Sequence, residues 1–440
     1  MLSSLLEKYL FFLELIANIF TYNKIRRREM DFYKKWLNIA IIFILSFSLL
    51  SPAALADTQQ VETSDLATSD LESSSTINNQ VNDEEAPVRV PFYEGENVAH
   101  VMANTNKDNK DGSVAEITIE NGSNKAMITS ETIQKYLEKN IKNFVIQSEK
   151  NFKIEVPTSI FKGINLAEKD QVIVSVTKGD KNKQFTVTFE IEDTNGKSKS
   201  ISIDKEYLKV TLPAANKLKA NTVVLQLDGG EYKPVPHKIV NGEIVLFTKT
   251  SGTFVLKEST VTYKDIEDLV YKEEIEFLAS RHVIQGTTSE AFEANISITR
   301  AQFAAFVSRA LGLQAIGENP FDDTKGKWYA TEIQALYEAG ITKGSTASTF
   351  NPEKPITRQQ AAAMMARILE YVNADVKAGE EINFKDANNI SSEYLPYIKL
   401  LNSLDIMTGM QDGSFDPTTS ITRGQTAKIL KRTLIIAGIM

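Results

Sequence analysis

From Arg89 to Leu256 apolar and polar positions alternate in short runs. They are Glu116 to Glu120, Val172 to Thr177, Phe185 to Ile191, Thr222 to Leu227 and Glu243 to Thr248. A period of two bounded by Asn-Gly, Gly-Asp and Gly-Gly predicts half-buried strands joined by tight turns. Asn241-Gly242, between Lys238-Ile239-Val240 and Glu243 to Phe247, is the clearest hairpin signal. One helix interrupts the pattern, opening near Ser130 and placing Ile133, Leu137 and Ile141 on one face. Residues 89–257 therefore read as a strand-rich, sandwich-like domain with one packed helix.

Beyond residue 260 the period lengthens and the sequence repeats itself, which for a chain of 440 residues decides the architecture. Ile298-Thr299-Arg300, Ile356-Thr357-Arg358 and Ile421-Thr422-Arg423 share one register with Phe292, Phe350 and Phe415. Upstream in the same register stand Gly286, Gly344 and Gly409, then Tyr271, Tyr329 and Tyr394, then an aromatic-x-Asp ending at Asp265, Asp323 and Asp386. Each unit reads as helix, loop, helix, giving boundaries of 261–319, 320–380 and 381–440. Thr299 with Gln302, Thr357 with Gln360 and Thr422 with Gln425 have the spacing of a capping box, in which two side chains satisfy orphaned N–H groups reciprocally. The preceding Ile is placed for a hydrophobic staple.

The front of the chain has a different character. From Met30 a basic stretch, the apolar run Leu37 to Leu50 and a small-x-small ending at Ala54 and Ala56 predict a secretory signal over 30–56, cut between Ala56 and Asp57. The apolar core is shorter than the roughly 20 residues a spanning helix needs, so no membrane association is expected after cleavage. Residues 1–29 do not belong before such a signal. Translation is expected to start at Met30, with Arg26 to Glu29 the in-frame reading of a ribosome-binding site. Asp57 to Pro87 holds eight acidic residues, no basic ones and nine Ser or Thr. That composition cannot bury enough apolar surface to offset its ordering entropy, and 57–88 reads as an acidic linker.

With no Cys and three His, disulfides, thiol nucleophiles and thiolate metal sites are excluded, and no metal or cofactor is expected. Asn106 to Gly112 superficially suggests a calcium loop, but Lys107 falls at the first ligand position and a plain turn fits better. A net charge of −8 argues against a nucleic-acid partner. No motif singles out a carboxylate pair in 89–257, so an enzyme there is not expected, although counting alone leaves a glycosidase pair open.

Arg300, Arg358 and Arg423 each fall at the first helical position, where a cation opposes the helix dipole by roughly 0.3 to 1 kcal/mol. Something must compensate. A helix N-terminus with free N–H groups beside a guanidinium would receive a carboxylate or phosphate; the alternative is a salt bridge to a neighbouring repeat. Between Val90 and Ser280 there is no Arg, yet seven follow, six of them on repeat positions. Arg309, Arg367 and Arg432, toward the helix C-terminus, read as structural.

Aromatic-x-Asp, Gly, Phe-x-Pro and Ile-Thr-Arg in three tandem copies resemble the S-layer homology module over about 263–436. The resemblance implies an all-α pseudo-threefold trimer whose inter-repeat grooves bind a secondary cell-wall polysaccharide attached to peptidoglycan, placing the chain in the wall or S-layer of a Gram-positive-type envelope with scope for self-association. It further implies that a pyruvate ketal on the polymer meets Arg300, Arg358 and Arg423. Gly286, Gly344 and Gly409 would then shape the grooves with Tyr271, Tyr329, Tyr394 and Trp328. The family's Thr-Arg-Ala-Glu has Gln for Glu in all three repeats, and the first lacks both the Pro and the Trp, so its groove is expected to be weaker. Residues 261–440 hold 18 basic and 23 acidic side chains, so attraction of an anion must be local. The competing readings are a wall-anchored hydrolase with its site in 89–257, and a helical scaffold for a protein partner, which would expose an apolar patch across the repeats.

Overall fold

The alternating runs become strands because each sends every second side chain into a shared core. The computed structural model describes residues 88–89, 101–105, 114–119, 124–148, 152–179, 183–213, 218–379 and 381–440. The cleavage site at Ala56 and Asp57, residues 1–29, the signal segment, the linker as far as Pro87 and the Asn106 to Gly112 turn lie outside them. Val88, assigned to the linker from composition, pairs instead with Ala103 in the first strand. Among the described residues no helix is long and apolar enough to cross a membrane.

In chain order the strands are β1 (Val88–Arg89), β2 (Val101–Thr105), β3 (Val114–Ile119), β4 (Lys125–Thr129), β5 (Asn143–Ser148), β6 (Lys153–Pro157), β7 (Gln171–Lys178) and β8 (Gln184–Glu192). They continue with β9 (Ser198–Ser200), β10 (Leu208–Pro213), β11 (Thr222–Asp228), β12 (Glu231–Pro234), β13 (His237–Val240), β14 (Glu243–Thr248) and β15 (Gly252–Glu258). One sheet runs β1-β2-β3-β5-β6-β10-β14-β13; the other runs β12-β11-β15-β8-β7-β4, with β9 on β8. All pairs are antiparallel except β3 with β5. Phe144, Ile154, Val210 and Leu246 from the first sheet meet Val174, Phe189, Val224 and Phe254 from the second in one core. Asn241 and Gly242, at φ +53° and +79°, make the two-residue turn between β13 and β14.

The helix α1 (Ser130–Glu138) is capped by Thr129, whose hydroxyl accepts from Thr132 N–H. It is shorter than the spacing predicts. Asn140 at φ +54° ends it, so Ile141 reaches the core from beyond the helix. Tyr136, three residues from Ile133, takes the buried position expected of Leu137.

The repeats supply α2 (Lys272–Ser280), α3 (Arg300–Ala310), α4 (Ala330–Glu338), α5 (Arg358–Tyr371), α6 (Leu395–Ser403) and α7 (Arg423–Ile436). Helix α3 packs on α4, α5 on α6 and α7 on α2, so each repeat leans on the next and the third on the first. The backbone closes the same circuit: Ile356 N–H donates to Ile298 O, Ile421 N–H to Ile356 O, and Ile298 N–H to Ile421 O, at 3.0 to 3.1 Å. All three Ile are fully buried. Val245 and Phe247 of β14 join this helical core rather than the strand core, so the sheet and the repeats are packed together.

Candidate functional site

Each repeat motif has a specific partner. Asp323 accepts from Phe350 N–H through Oδ1 at 2.9 Å and from Asn351 N–H through Oδ2 at 2.7 Å. Asp265 clamps Phe292 and Glu293 in the same way, and Asp386 clamps Phe415 and Asp416. The residue after each Phe is held at φ +57° to +58°, a left-handed conformation for Glu293, Asn351 and Asp416. For a non-glycine residue that backbone costs free energy, and the carboxylate clamp offsets it.

The repeat glycines are required by space. A Cβ on Gly344 would lie 2.4 Å from the Phe321 ring and 2.3 Å from Thr346 O; one on Gly286 would meet the Tyr263 ring at 2.5 Å, and one on Gly409 the Phe384 ring at 2.8 Å. The aromatic of each aromatic-x-Asp therefore lies under the loop glycine, its neighbour Asp holds the Phe, and the Phe is buried.

The second helices open with complete capping boxes. Thr299, Thr357 and Thr422 accept from the N–H of Gln302, Gln360 and Gln425, whose side chains accept from the Thr N–H at 3.0 to 3.3 Å. The expectation of free N–H groups beside the motif Arg is overturned. Arg300 and Ala301 donate to Lys354 O and Pro352 O, Arg358 and Gln359 to Thr419 O and Pro417 O, and Arg423 and Gly424 to Ile296 O and Ala294 O. Ala294 stands where the other repeats have Pro and offers the same carbonyl, so the first repeat's missing Pro costs no bond.

The guanidinium groups complete the ring. Arg300 Nε donates to Phe350 O at 3.0 Å and Nη2 to Lys343 O at 3.3 Å. Arg358 reaches Phe415 O and Thr408 O at 2.8 and 3.2 Å, and Arg423 reaches Phe292 O and Gln285 O at 2.9 and 2.7 Å. Every acceptor belongs to the neighbouring repeat: the carbonyl of its motif Phe and that of the residue before its motif Gly. Each guanidinium also lies over that Phe ring, at 4.5 Å for Arg300 and Arg423 and 5.0 Å for Arg358. Two charge-assisted bonds and a ring quadrupole compensate for the opposed dipole. Among the described residues no repeat carboxylate lies within ion-pair distance of the three Arg, and carbonyls take the place of the salt-bridge alternative. Burial depresses all three guanidinium pKa values below the ordinary arginine range. Arg358 and Arg423 are 5% and 2% exposed, while Arg300 is half-buried. Nη1 of each makes no hydrogen bond among the described residues.

The aromatic positions diverge. Tyr329 is buried and its hydroxyl donates to Glu353 at 2.8 Å; burial, then this carboxylate, push its pKa up to about 12. It offers no ring face to a ligand. Tyr271 is half-buried, its ring edge occupying the space a Cβ on Gly424 would need. Tyr394 is half-buried at the start of α6. Trp328 is 56% exposed, with the Arg309 guanidinium 5.6 Å from its ring centre and the Arg309–Glu332 pair joining α3 to α4 at 2.8 Å. Arg367 and Arg432 donate to Ile341 O and Asp405 O within their own repeats. The carbonyl acceptors and the left-handed residue after each Phe are what sequence reasoning missed. The constant Gly-to-Phe spacing of six was their only trace.

Likeness to known proteins bears on this arrangement. Residues 262–304, 320–362 and 383–427 match the S-layer homology domain. An endoglucanase of Bacillus sp. (strain KSM-635) is 40% identical over 162 residues, 36% of this chain and 17% of that protein. Exoglucanase XynX of Acetivibrio thermocellus is 34% identical over 195 residues, covering 43% and 17%, and the surface-layer 125 kDa protein of Lysinibacillus sphaericus is 30% identical over 167 residues, covering 37% and 14%. The chain thus spans about one sixth of the length of these relatives. The interlocked units described above are accordingly three tandem S-layer homology domains, carried at the C-terminal end of the chain.

Proposed function

We propose that residues 261–440 anchor the protein non-covalently to the bacterial cell wall by binding a secondary cell-wall polysaccharide, the three repeats acting as one pseudo-threefold body. One observation carries this reading: three guanidinium groups, two buried and one half-buried, are each fixed by two carbonyls of the next repeat through Nε and Nη2, which leaves Nη1 without a hydrogen bond among the described residues. A pre-oriented donor costs little entropy when a carboxylate such as a pyruvate ketal arrives. Arg300, the most accessible, is the leading contact, with Trp328 offering a ring face to sugar. The family match and the surface-layer relative support a cell-surface location in a Gram-positive-type envelope, with residues 89–257 displayed outward and self-association in a surface layer as a further role.

The alternative is a wall-anchored hydrolase with its site in 89–257, and two of the relatives are glycosidases by name. In residues 89–257 no sequence motif singles out a pair of carboxylates for that chemistry.

Sedimentation with intact walls, walls stripped of the secondary polymer and walls lacking the ketal tests the proposal. Pelleting should require the polymer and fall without the ketal. Equal pelleting with stripped walls would refute the polysaccharide as ligand.

A further inference from the structure

Outside the repeats, the outer face of the larger sheet carries more lysines than carboxylates. Strand alternation sends Ile154, Val210, Ile244 and Leu246 into the core, and turns Lys153, Lys209 and Lys238 the other way. The antiparallel register sets Lys209 beside Glu155 and Thr211 beside Lys153. Two concavities of about 690 and 590 Å³ lie side by side here, with Glu155 and Lys209 lining both, and together they make up a trough. The larger adds Lys142, Lys162 and Lys205 to its lining.

Six lysines thus face three glutamates, in a chain whose net charge is −8. Glu155 is already spent, bonded to Lys209 at 2.8 Å and Lys153 at 3.2 Å. Burial pushes its pKa up, but the two ammonium groups more than offset this and hold it below the usual range. Glu206 accepts from Ser159. Lys142, Lys162 and Lys205 are exposed and make no ion pair among the described residues. Asn140, Asn143 and Asn373 line the same concavity, with amide donors and acceptors suited to sugar hydroxyls.

We infer that this trough is a second binding site, for a linear anionic glycan bearing carboxylate or phosphate groups. Lys142, Lys162 and Lys205 supply mobile point charges that suit a polymer of irregular charge spacing. A single-stranded nucleic acid would need ring faces on which bases stack. The trough's Tyr207 and Tyr371 rings are taken by the Lys249 ammonium, at 4.5 and 4.8 Å, and Phe247 is buried. The site is built from the β-domain and the ends of α5 and α7, away from the motif Arg, and does not rest on the repeat-groove ligand.

The test is fluorescence anisotropy of the purified chain with four labelled probes: an oligouronate hexasaccharide, a poly(glycerol phosphate) hexamer, neutral maltohexaose and oligothymidylate. At least one anionic glycan should bind tenfold or more tighter than maltohexaose, with affinity falling as salt rises; which one binds better tells carboxylate from phosphate. The Lys142→Gln, Lys162→Gln, Lys205→Gln triple variant, altered only at exposed positions, should lose at least tenfold in affinity with unchanged circular dichroism and unchanged wall sedimentation. Absence of binding by both anionic glycans would overturn the inference. So would undiminished binding by the triple variant, or oligothymidylate binding as tight as the better glycan.

Discussion

Replacing Asp323 by Asn keeps the shape of the side chain and breaks the clamp that sets the second repeat's loop. In the native protein both carboxylate oxygens accept, from Phe350 N–H at 2.9 Å and Asn351 N–H at 2.7 Å. An amide can keep one of these bonds, now to a neutral acceptor, and must point its NH2 at the other N–H. Losing a hydrogen bond to a charged group costs about 1.5 to 3 kcal/mol, and a stranded donor about 1 to 3 kcal/mol. Partial access of water to this loop and some relaxation bring the expected loss to about 3 kcal/mol. Trp328 is the one Trp after residue 56 and lies in this repeat, so its fluorescence in a denaturant titration of the chain from Asp57 onward reports the change. Hydrogen exchange gives a second reading: protection of the Phe350 and Asn351 amides should fall by about two orders of magnitude. A stability change below about 1 kcal/mol with protection retained at both amides would refute the clamp as the determinant of the loop.

Gly344→Ala puts a Cβ 2.3 Å from a backbone oxygen that cannot swing aside, and should cost about 3 kcal/mol in thermal or denaturant unfolding, whereas Gly163→Ala, with open space around it, should stay within about 0.5 kcal/mol. His237 is fully buried, donating to Val235 O and accepting from Val224 N–H; burial first, and Arg281 second, lower its pKa to about 3. Because the folded value lies below the unfolded 6.5, its contribution is complete above pH 6.5 and is lost as pH falls from there toward 3, by about 5 kcal/mol at most. Unfolding titrations across that window should show the slope, and His237→Gln should flatten it.

How far the sequence could be read depended on whether a feature is local. Asn241-Gly242 and the three Thr-x-x-Gln boxes are decided within a few residues, and their geometry could be named from spacing alone. Strands β5, β6 and β10 were not: β5 and β6 pair with each other, but β5 also lies parallel to β3 after a crossing through the other sheet, and β6 takes its second partner, β10, from far along the chain. The motif Arg presents the same contrast. Its unfavourable place beside the helix dipole was visible, but its compensation comes from carbonyls of another repeat, 43 to 138 residues away, and no local pattern encodes a carbonyl. The packing of β14 against the helices was likewise hidden, since Val245 and Phe247 read as one more alternating pair.

The account rests on a fixed guanidinium meeting a ligand carboxylate. Calorimetric titration of the chain with a wall-polysaccharide fragment carrying the pyruvate ketal, against the same fragment with the ketal hydrolysed, tests that contact most directly, with Arg300→Lys as the paired variant. Removal of the ketal should weaken binding by tenfold or more, and Arg300→Lys should narrow the gap between the two fragments, because Lys presents one mobile charge in place of an oriented fork. Equal affinity for the two fragments would contradict the account and leave the motif Arg with a purely structural role in joining one repeat to the next.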